Sequence, residues 1–327
     1  MLFMADLALG SVHIPFTSII DILLGNEAEK ESWNIILLSS RLPRAIAAIL
    51  SGSALAVSGL QMQTLFRNPL AGPYILGISS GAGLGVAIFI MGFSVLGISL
   101  GTSVWFANYG IVISAILGAV LVLLLLMAAI AKLKDIMTVL ILGIMIGSIA
   151  TAFISILEYF SQEDSLKSFV LWTMGDLSSV APDSLKMLFF IVIIGLVAAF
   201  AISKQLNAYL LGEDYAQSLG TNVNVTRYLV ILVTALLAGS ITAFCGPIGF
   251  VGIITPHIAR MFLKSANHFY LVPLCVLLGI NIMLLADIIA QLPGSDKTFP
   301  INAITSLIGI PFIFWIIFKN KKIAALN

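Results

Sequence analysis

Charge is what this sequence has least of. Asp, Glu, Lys and Arg make up 9% of its 327 residues, where a soluble domain carries about 25%. So few charges cannot cover a water-facing surface of that size. Hydrophobic residues fill 60% of the chain, and the mean hydropathy is +1.12. The solvent of this protein is therefore mostly lipid.

Other scarcities exclude chemistry. A net charge of +1, with no basic domain, gives no electrostatic case for nucleic acid. The two cysteines, Cys245 and Cys275, sit in apolar runs and suit neither a disulfide framework nor a thiolate metal site. His13, His257 and His268 lie far apart, without ligand spacing. No G-x-x-x-x-G-K-[ST] occurs, so no P-loop binds ATP here. Gly81-Ala-Gly83-Leu-Gly85 lacks the last glycine of a dinucleotide fingerprint and fits helix packing instead. No nucleophile–base pair and no Asp/Glu/His chain crosses the apolar segments, which leaves an embedded enzyme or a proton relay with little support. The chain is expected to bind no metal or cofactor.

What is there is a series of long uncharged stretches. Residues 45–66 form one, between Arg44 and Arg67. Residues 68–131 form another, too long for one helix and broken by glycines around Gly92 to Gly110, hence two spans. Further spans are expected at about 136–157, 184–203, 228–246, 250–263, 269–290 and 300–318, nine in all. Lys and Arg then sort by side. One face holds Arg67, Lys132, Lys134, Lys204, Arg227, Arg260, Lys264, Lys319, Lys321 and Lys322. The other holds Lys30, Arg41, Arg44, Lys167, Lys186 and Lys297, six against ten, together with Glu27, Glu29 and most other acids. The richer face is cytoplasmic by the positive-inside rule, and the C-terminus lies there. Met1 to Leu9 is apolar apart from Asp6 but too short to cross, at roughly 13 Å of helix. It suits either the outer end of a tenth helix whose inner part is missing or a short interfacial helix.

Small residues at four-residue spacing, Gly81 with Gly85 and Gly143 with Gly147, let helix backbones approach closely. Two segments carry breaks: Pro69 and Pro73 before the second span, Gly246 and Pro247 before the seventh, with Pro256 inside it. Both contain Gly-Pro followed by Gly-Ile, a pattern that matched interruptions of an internal repeat can give. Leu210 to Arg227 is the longest polar cytoplasmic stretch. Glu213 and Asp214 suit the first turn of a short helix and Gly220 its stop, either capping the bundle or docking a partner. Asp287 and Glu158 lie near span ends, where they are expected to reach the interface.

The residues go further than physics alone. Arg41-Leu-Pro-Arg44-Ala, then Gly59-Leu-Gln-Met-Gln-Thr-Leu-Phe-Arg-Asn-Pro-Leu-Ala-Gly-Pro73, then Leu76-Gly-Ile-Ser-Ser-Gly-Ala-Gly83 resembles the signature of the FecCD-type permeases. These are membrane subunits of ABC importers for iron-siderophores, haem and cobalamin. Leu211-Gly-Glu with Ala216 and Leu219-Gly220 is similar to their cytoplasmic coupling segment. Gly249-Phe-Val-Gly252, Pro256-His-Ile-Ala-Arg260, Leu285-Ala-Asp-Ile288 and Leu307-Ile-Gly-Ile-Pro-Phe312 continue the match in order.

The resemblance implies an all-α, ten-helix importer permease of the type II fold. The first helix would be truncated here, leaving nine full spans and a stub. It implies a single transmembrane domain over 1–327, with a coupling segment at 208–226. It implies a bacterial inner-membrane subunit, paired with a second permease copy and two ATPase chains that carry ATP and Mg. An extracytoplasmic binding protein delivers the chelate. Residue by residue, Arg41 and Arg44 match binding-protein docking arginines. Asn68 and Leu70 match one cytoplasmic gate, and Met137 and Thr138 the other. Gly212, Glu213, Ala216, Leu219 and Gly220 match the ATPase-coupling helices. The helices at about 136–157 and 300–318 match those lining the pathway. The chain departs from the pattern at Gln291, where some relatives carry a third docking arginine that Lys297 here could partly replace. It departs again at Asn302, often glycine. An ion-gradient-driven secondary transporter or channel is the alternative reading, distinguished by its independence of an ATPase.

Overall fold

The computed structural model describes residues 1–26, 30–95, 104–133, 135–292, 294 and 298–324. Glu27, Glu29, Lys134 and Lys297, invoked above, lie outside the described residues. Among the described residues all regular structure is helical. Three short helices, α1 (Leu2–Ala8), α2 (Phe16–Leu23) and α3 (Glu31–Ile36), precede the bundle. A π-helical turn over Leu37–Arg41 joins α3 to α4 (Leu42–Leu65). The turn lies where the Pro43 ring excludes the carbonyl four residues back. Then come α5 (Ile78–Ala87), α6 (Phe93–Val95), α7 (Val104–Lys132), α8 (Ile136–Phe160), α9 (Glu163–Thr173) and α10 (Pro182–Ala201). The short α11 (Ser203–Leu210) and α12 (Glu213–Ser218) lead to α13 (Val223–Cys245), α14 (Val251–Leu263), α15 (His268–Ala290) and α16 (Ile301–Ala324).

Each expected span coincides with a helix. Among the described residues, six helices are long and apolar enough to cross a membrane. The segments Ile78–Gly92, Val251–Leu263 and Ile301–Ile316 are shorter apolar helices. The second span begins at Ile78, after the expected break: the loop following Phe66 and a 3₁₀ turn over Pro73–Leu76 use up the preceding residues. Gly77, at φ 74°, closes that turn in a conformation L side chains avoid.

The centre of the bundle is α4. Of its 24 residues, 20 are buried, and it packs on α10, α13, α14 and α15. In lipid, helix association depends on close packing rather than on a hydrophobic gradient. The sequence supplies this through facing glycines: Gly52 against Gly279, and Gly59 against Gly252. The Gly81 and Gly85 pair meets Gly118 and Ser114 of α7, and Gly143 of α8 meets the Leu76 backbone. By contrast α8 buries only a narrow stripe, including Val139, Gly143, Gly147 and Ala150. Its Ile141, Ile144, Met145, Ile149 and Phe153 are exposed, an apolar face suited to lipid or a second chain.

Candidate transport site

At the end of the bundle expected to be cytoplasmic, the loop after α4 is tightly turned. Arg67 has φ 47°. The Asn68 side chain accepts from the Leu70 amide at 2.9 Å, and the Asn68 carbonyl accepts from the Ala71 amide at 3.0 Å. His257 Nε2 lies 2.9 Å from the Pro69 carbonyl and donates to it, since that oxygen can only accept. The expected gate residues Asn68 and Leu70 thus sit on an exposed loop fixed at three points.

Met137 and Thr138 occupy the first turn of α8. Asp135 caps it, accepting from the Met137 amide at 3.2 Å, the Thr138 amide at 3.0 Å and the Thr138 hydroxyl at 2.8 Å. The Thr138 and Met137 hydrogen bonds hold its carboxyl below the ordinary range. Asp135 was not among the expected site residues. An acid immediately ahead of an apolar helix is the cue that reveals such a cap.

The coupling segment forms the expected short helix. Gly212, at φ 119°, precedes α12, and Gly220, at φ 81°, follows it. Ala216 is buried, while Leu211, Tyr215 and Leu219 are exposed. Behind it lies a polar cluster. Glu213 accepts from the Tyr209 hydroxyl and, at 2.6 Å, from Arg227 Nη2. Arg227 Nε also donates to the Tyr209 hydroxyl at 3.2 Å. Burial works to raise the Glu213 carboxyl, but the Arg227 and Tyr209 hydrogen bonds outweigh it and hold the group below its ordinary value. Burial pushes the Tyr209 hydroxyl up to about 12. The ends of α4, α11 and α15 are tied by His268, whose ring nitrogens lie 2.8 Å from the Thr64 hydroxyl and 2.9 Å from Asn207 Oδ1.

The two broken segments meet in space. The Ile248 amide donates to the Tyr74 hydroxyl at 3.2 Å, and Gly252 lies against the Pro73 ring. Gly246 takes φ 75° ahead of Pro247, and Pro256 is inside α14. Beside this junction a cavity of about 450 Å³ opens between α5 and α8. Tyr74, Gly77, Ser80, Gly143, Gly147, Ser148 and Thr151 line it, hydroxyls and glycines with no charge. Such a surface offers weak polar contacts and can release what it accepts.

At the opposite end the two expected docking arginines are engaged within the chain. Buried Arg41 donates to the carbonyls of Leu7, at 2.7 Å, Ala8, at 3.1 Å, and Val12. It thereby caps the end of α1. Arg44 forks onto Asp287, Nη2 to Oδ1 at 2.8 Å and Nε to Oδ1 at 2.9 Å. Asp287 is fully buried, so the expectation that it reaches the membrane interface is corrected: a guanidinium at its own depth neutralises it. Gln291 joins the cluster, its amide donating to Asp6 at 3.0 Å and to Asp287 at 2.9 Å. Arg41, Arg44, Gln291 and Thr298 line a cleft of about 270 Å³ through which the arginines are reached.

The family model described as the FecCD transport family matches residues 1–319. The chain belongs to that family. It is 33% identical over 325 residues to the hemin transport system permease protein HmuU of Yersinia pestis, covering 98% of this chain and 95% of the relative. It is 35% identical over 283 residues to the vitamin B12 import system permease protein BtuC of Klebsiella pneumoniae, covering 86% and 82%. Among solved structures, a metal-chelate type ABC transporter in an inward-facing conformation superposes with a TM-score of 0.81 at 30% identity, covering 97% of this chain and 95% of that one. The protein is thus an ABC-transporter membrane permease with the architecture of that class.

In this permease Asn302 does structural work that glycine could not. Its Oδ1 accepts from the Gly249 amide at 3.0 Å, and its own amide donates to the Met174 carbonyl at 3.2 Å. The start of α16 is thereby tied to the break before α14 and to the end of α9. Replacing Asn302 by glycine leaves the Gly249 amide without its acceptor. Thermal unfolding in detergent is expected to show a loss of about 1–2 kcal/mol. An unchanged midpoint would show that this bond contributes nothing.

Proposed function

We propose that the permease moves a bulky metal chelate, of the iron-siderophore, haem or cobalamin class, across the bacterial inner membrane by alternating access. Two copies pair through the apolar faces of α8 and α16. Two separate cytoplasmic chains bind ATP and Mg and supply the drive. An extracytoplasmic binding protein docks at the outer end, where Arg41 and Arg44 act through their cleft. The gates are Asn68 with Leu70 and Met137 with Thr138, and the uncharged cleft beside α8 is the path. The C-terminus is cytoplasmic, and the segment 208–226 couples the ATPases to the whole transmembrane domain.

The observation that carries this reading is the coupling helix itself. It presents Tyr215 at 56% exposure, flanked by Leu211 and Leu219 at 63% and 58% just before and after the helix, which is anchored from behind by buried Ala216 and by Glu213. Apolar side chains held rigid in a polar cytoplasmic segment are what a partner's groove takes up. Tyr215→Ala is expected to weaken association with the ATPase chain by about 2 kcal/mol, roughly 30-fold, as for a central aromatic anchor. Co-purification and ATP-dependent uptake in proteoliposomes test it. Uptake of haemin, cyanocobalamin or ferric siderophores that follows an ion gradient without any ATPase chain would favour a secondary transporter instead.

A further inference from the structure

One residue of the cytoplasmic cluster faces in two directions. Tyr209 is fully buried at the end of α11, so it is not on the surface offered to a partner. Its hydroxyl is held by Glu213 of α12 and Arg227 of α13. Its ring and main chain are held by Arg67. The Arg67 guanidinium sits over the ring at 5.9 Å from the centroid and donates to the Tyr209 carbonyl at 3.4 Å. Arg67 Nη2 also passes the Gly212 position, 3.7 Å from where a Cβ would stand. Arg67 immediately precedes Asn68, whose side chain shapes the loop that ends in Leu70.

We infer that Tyr209 is the joint that passes movement of the coupling helix α12 to the Asn68–Leu70 loop, with Arg67 as the follower. Shifting α12 drags Glu213. The Glu213–Tyr209–Arg227 bonds make the tyrosine move with it, and Arg67 rides on the ring. The chain of contacts from Glu213 to Arg67 is short, passing through Tyr209 alone. Tyr209 and Arg67 are positioning residues here, touching neither ATP nor chelate. The inference rests on the reading of 208–226 as the ATPase-coupling segment.

The test uses the assembled transporter, permease with its ATPase chains, in proteoliposomes. A Leu70→Cys background reports the loop. Leu70 is exposed, whereas the native Cys245 and Cys275 are buried and leave the new thiol as the reactive one. ATP hydrolysis and the rate of labelling by a membrane-impermeant maleimide are measured with and without MgATP. In the parent, MgATP changes the labelling rate. Tyr209→Phe keeps the ring under Arg67 but cuts the hydroxyl from Glu213. Arg67→Gln keeps a polar stem but loses the cation. In both, hydrolysis is expected to continue while the ATP-dependent change in labelling falls at least threefold. Arg67→Lys, which restores the cation over the ring, is expected to recover part of it.

Full ATP-dependent labelling in both variants would overturn the inference. So would failure of Tyr209→Phe to bind the ATPase chains, because the tyrosine would then support the docking face rather than transmit its movement. A parent that binds no ATPase chain, or shows no ATP response, would instead sink the transporter reading on which the inference stands.

Discussion

Arg44→Met is expected to destabilise the permease by about 3–5 kcal/mol, the cost of leaving a buried charge without its partner. Asp287, fully buried, would keep the Gln291 amide and its hydrogen bond with the Asp6 carboxyl but lose the guanidinium fork. The same amide also serves Asp6. The double variant Arg44→Met/Asp287→Leu is expected to recover most of that loss, since replacing a buried pair by apolar groups of similar size is often neutral. Trp33 reports the region, because it packs with Leu7, Leu37 and Ala45 in the small cluster at this end. Its fluorescence during thermal unfolding in detergent provides the measurement. A single variant as stable as the parent, or a double variant no better than the single, would mean the pair carries no buried charge. The geometry also decides which substitution can test docking at Arg41 and Arg44. Reversing Arg41 and Arg44 to acids would place four carboxylates in one buried cluster, and loss of docking would then follow from loss of structure. Asp287→Asn isolates the docking question better. It retains a hydrogen-bonding partner for Arg44 while freeing its charge, and is expected to strengthen attraction for an acidic partner surface.

The membrane-embedded bundle was readable from the chain because lipid imposes one rule everywhere. An uncharged run of sufficient length becomes a helix, and charges mark its ends. Residues 136–157 and 269–290 fall on α8 and α15 for that reason. The short helix α12 was readable too, since Glu213, Asp214 and Gly220 are local signals. What escaped were pairings between distant residues. Arg44 and Asp287 stand 243 positions apart, and each alone suggests an interfacial charge. Tyr209 looks like any aromatic at a helix end, and its role appears only when Arg67, 142 positions earlier, is seen on its ring and carbonyl. Gln291 and Asn302 stood out as departures from a pattern. The pattern did not say that one clips two carboxylates together and the other ties α16 to a break in the chain. The short helix α9 was missed because it lies in a loop between two spans, where amphipathicity rather than length defines it, with Phe169 turned inward.

Close glycine contacts in the core give the other large effect, and its sign depends on place. A Cβ on Gly59 would stand 1.8 Å from the Gly252 carbonyl oxygen and 2.4 Å from its carbon. Both obstacles are backbone, so no rotamer change relieves them. Either α4 or α14 must move, and α4 is packed on three other helices as well. Overpacking usually costs about 1–3 kcal/mol, and here the cost should reach or exceed the top of that range. Gly83, one face away on α5, is the control. Its Cβ would meet Ile154 Cδ1 at 3.6 Å and Trp172 Cζ3 at 3.9 Å, both ordinary contacts. Alanine there is expected to be neutral or to stabilise by up to about 1 kcal/mol through helix propensity. Gly59→Ala and Gly83→Ala make the same chemical change on two helices, so propensity cancels between them. What remains is the backbone approach. Equal melting temperatures for the two variants would refute the close α4–α14 packing that places the Gly-Pro break, and with it Pro73 and Tyr74, beside the cleft between α5 and α8.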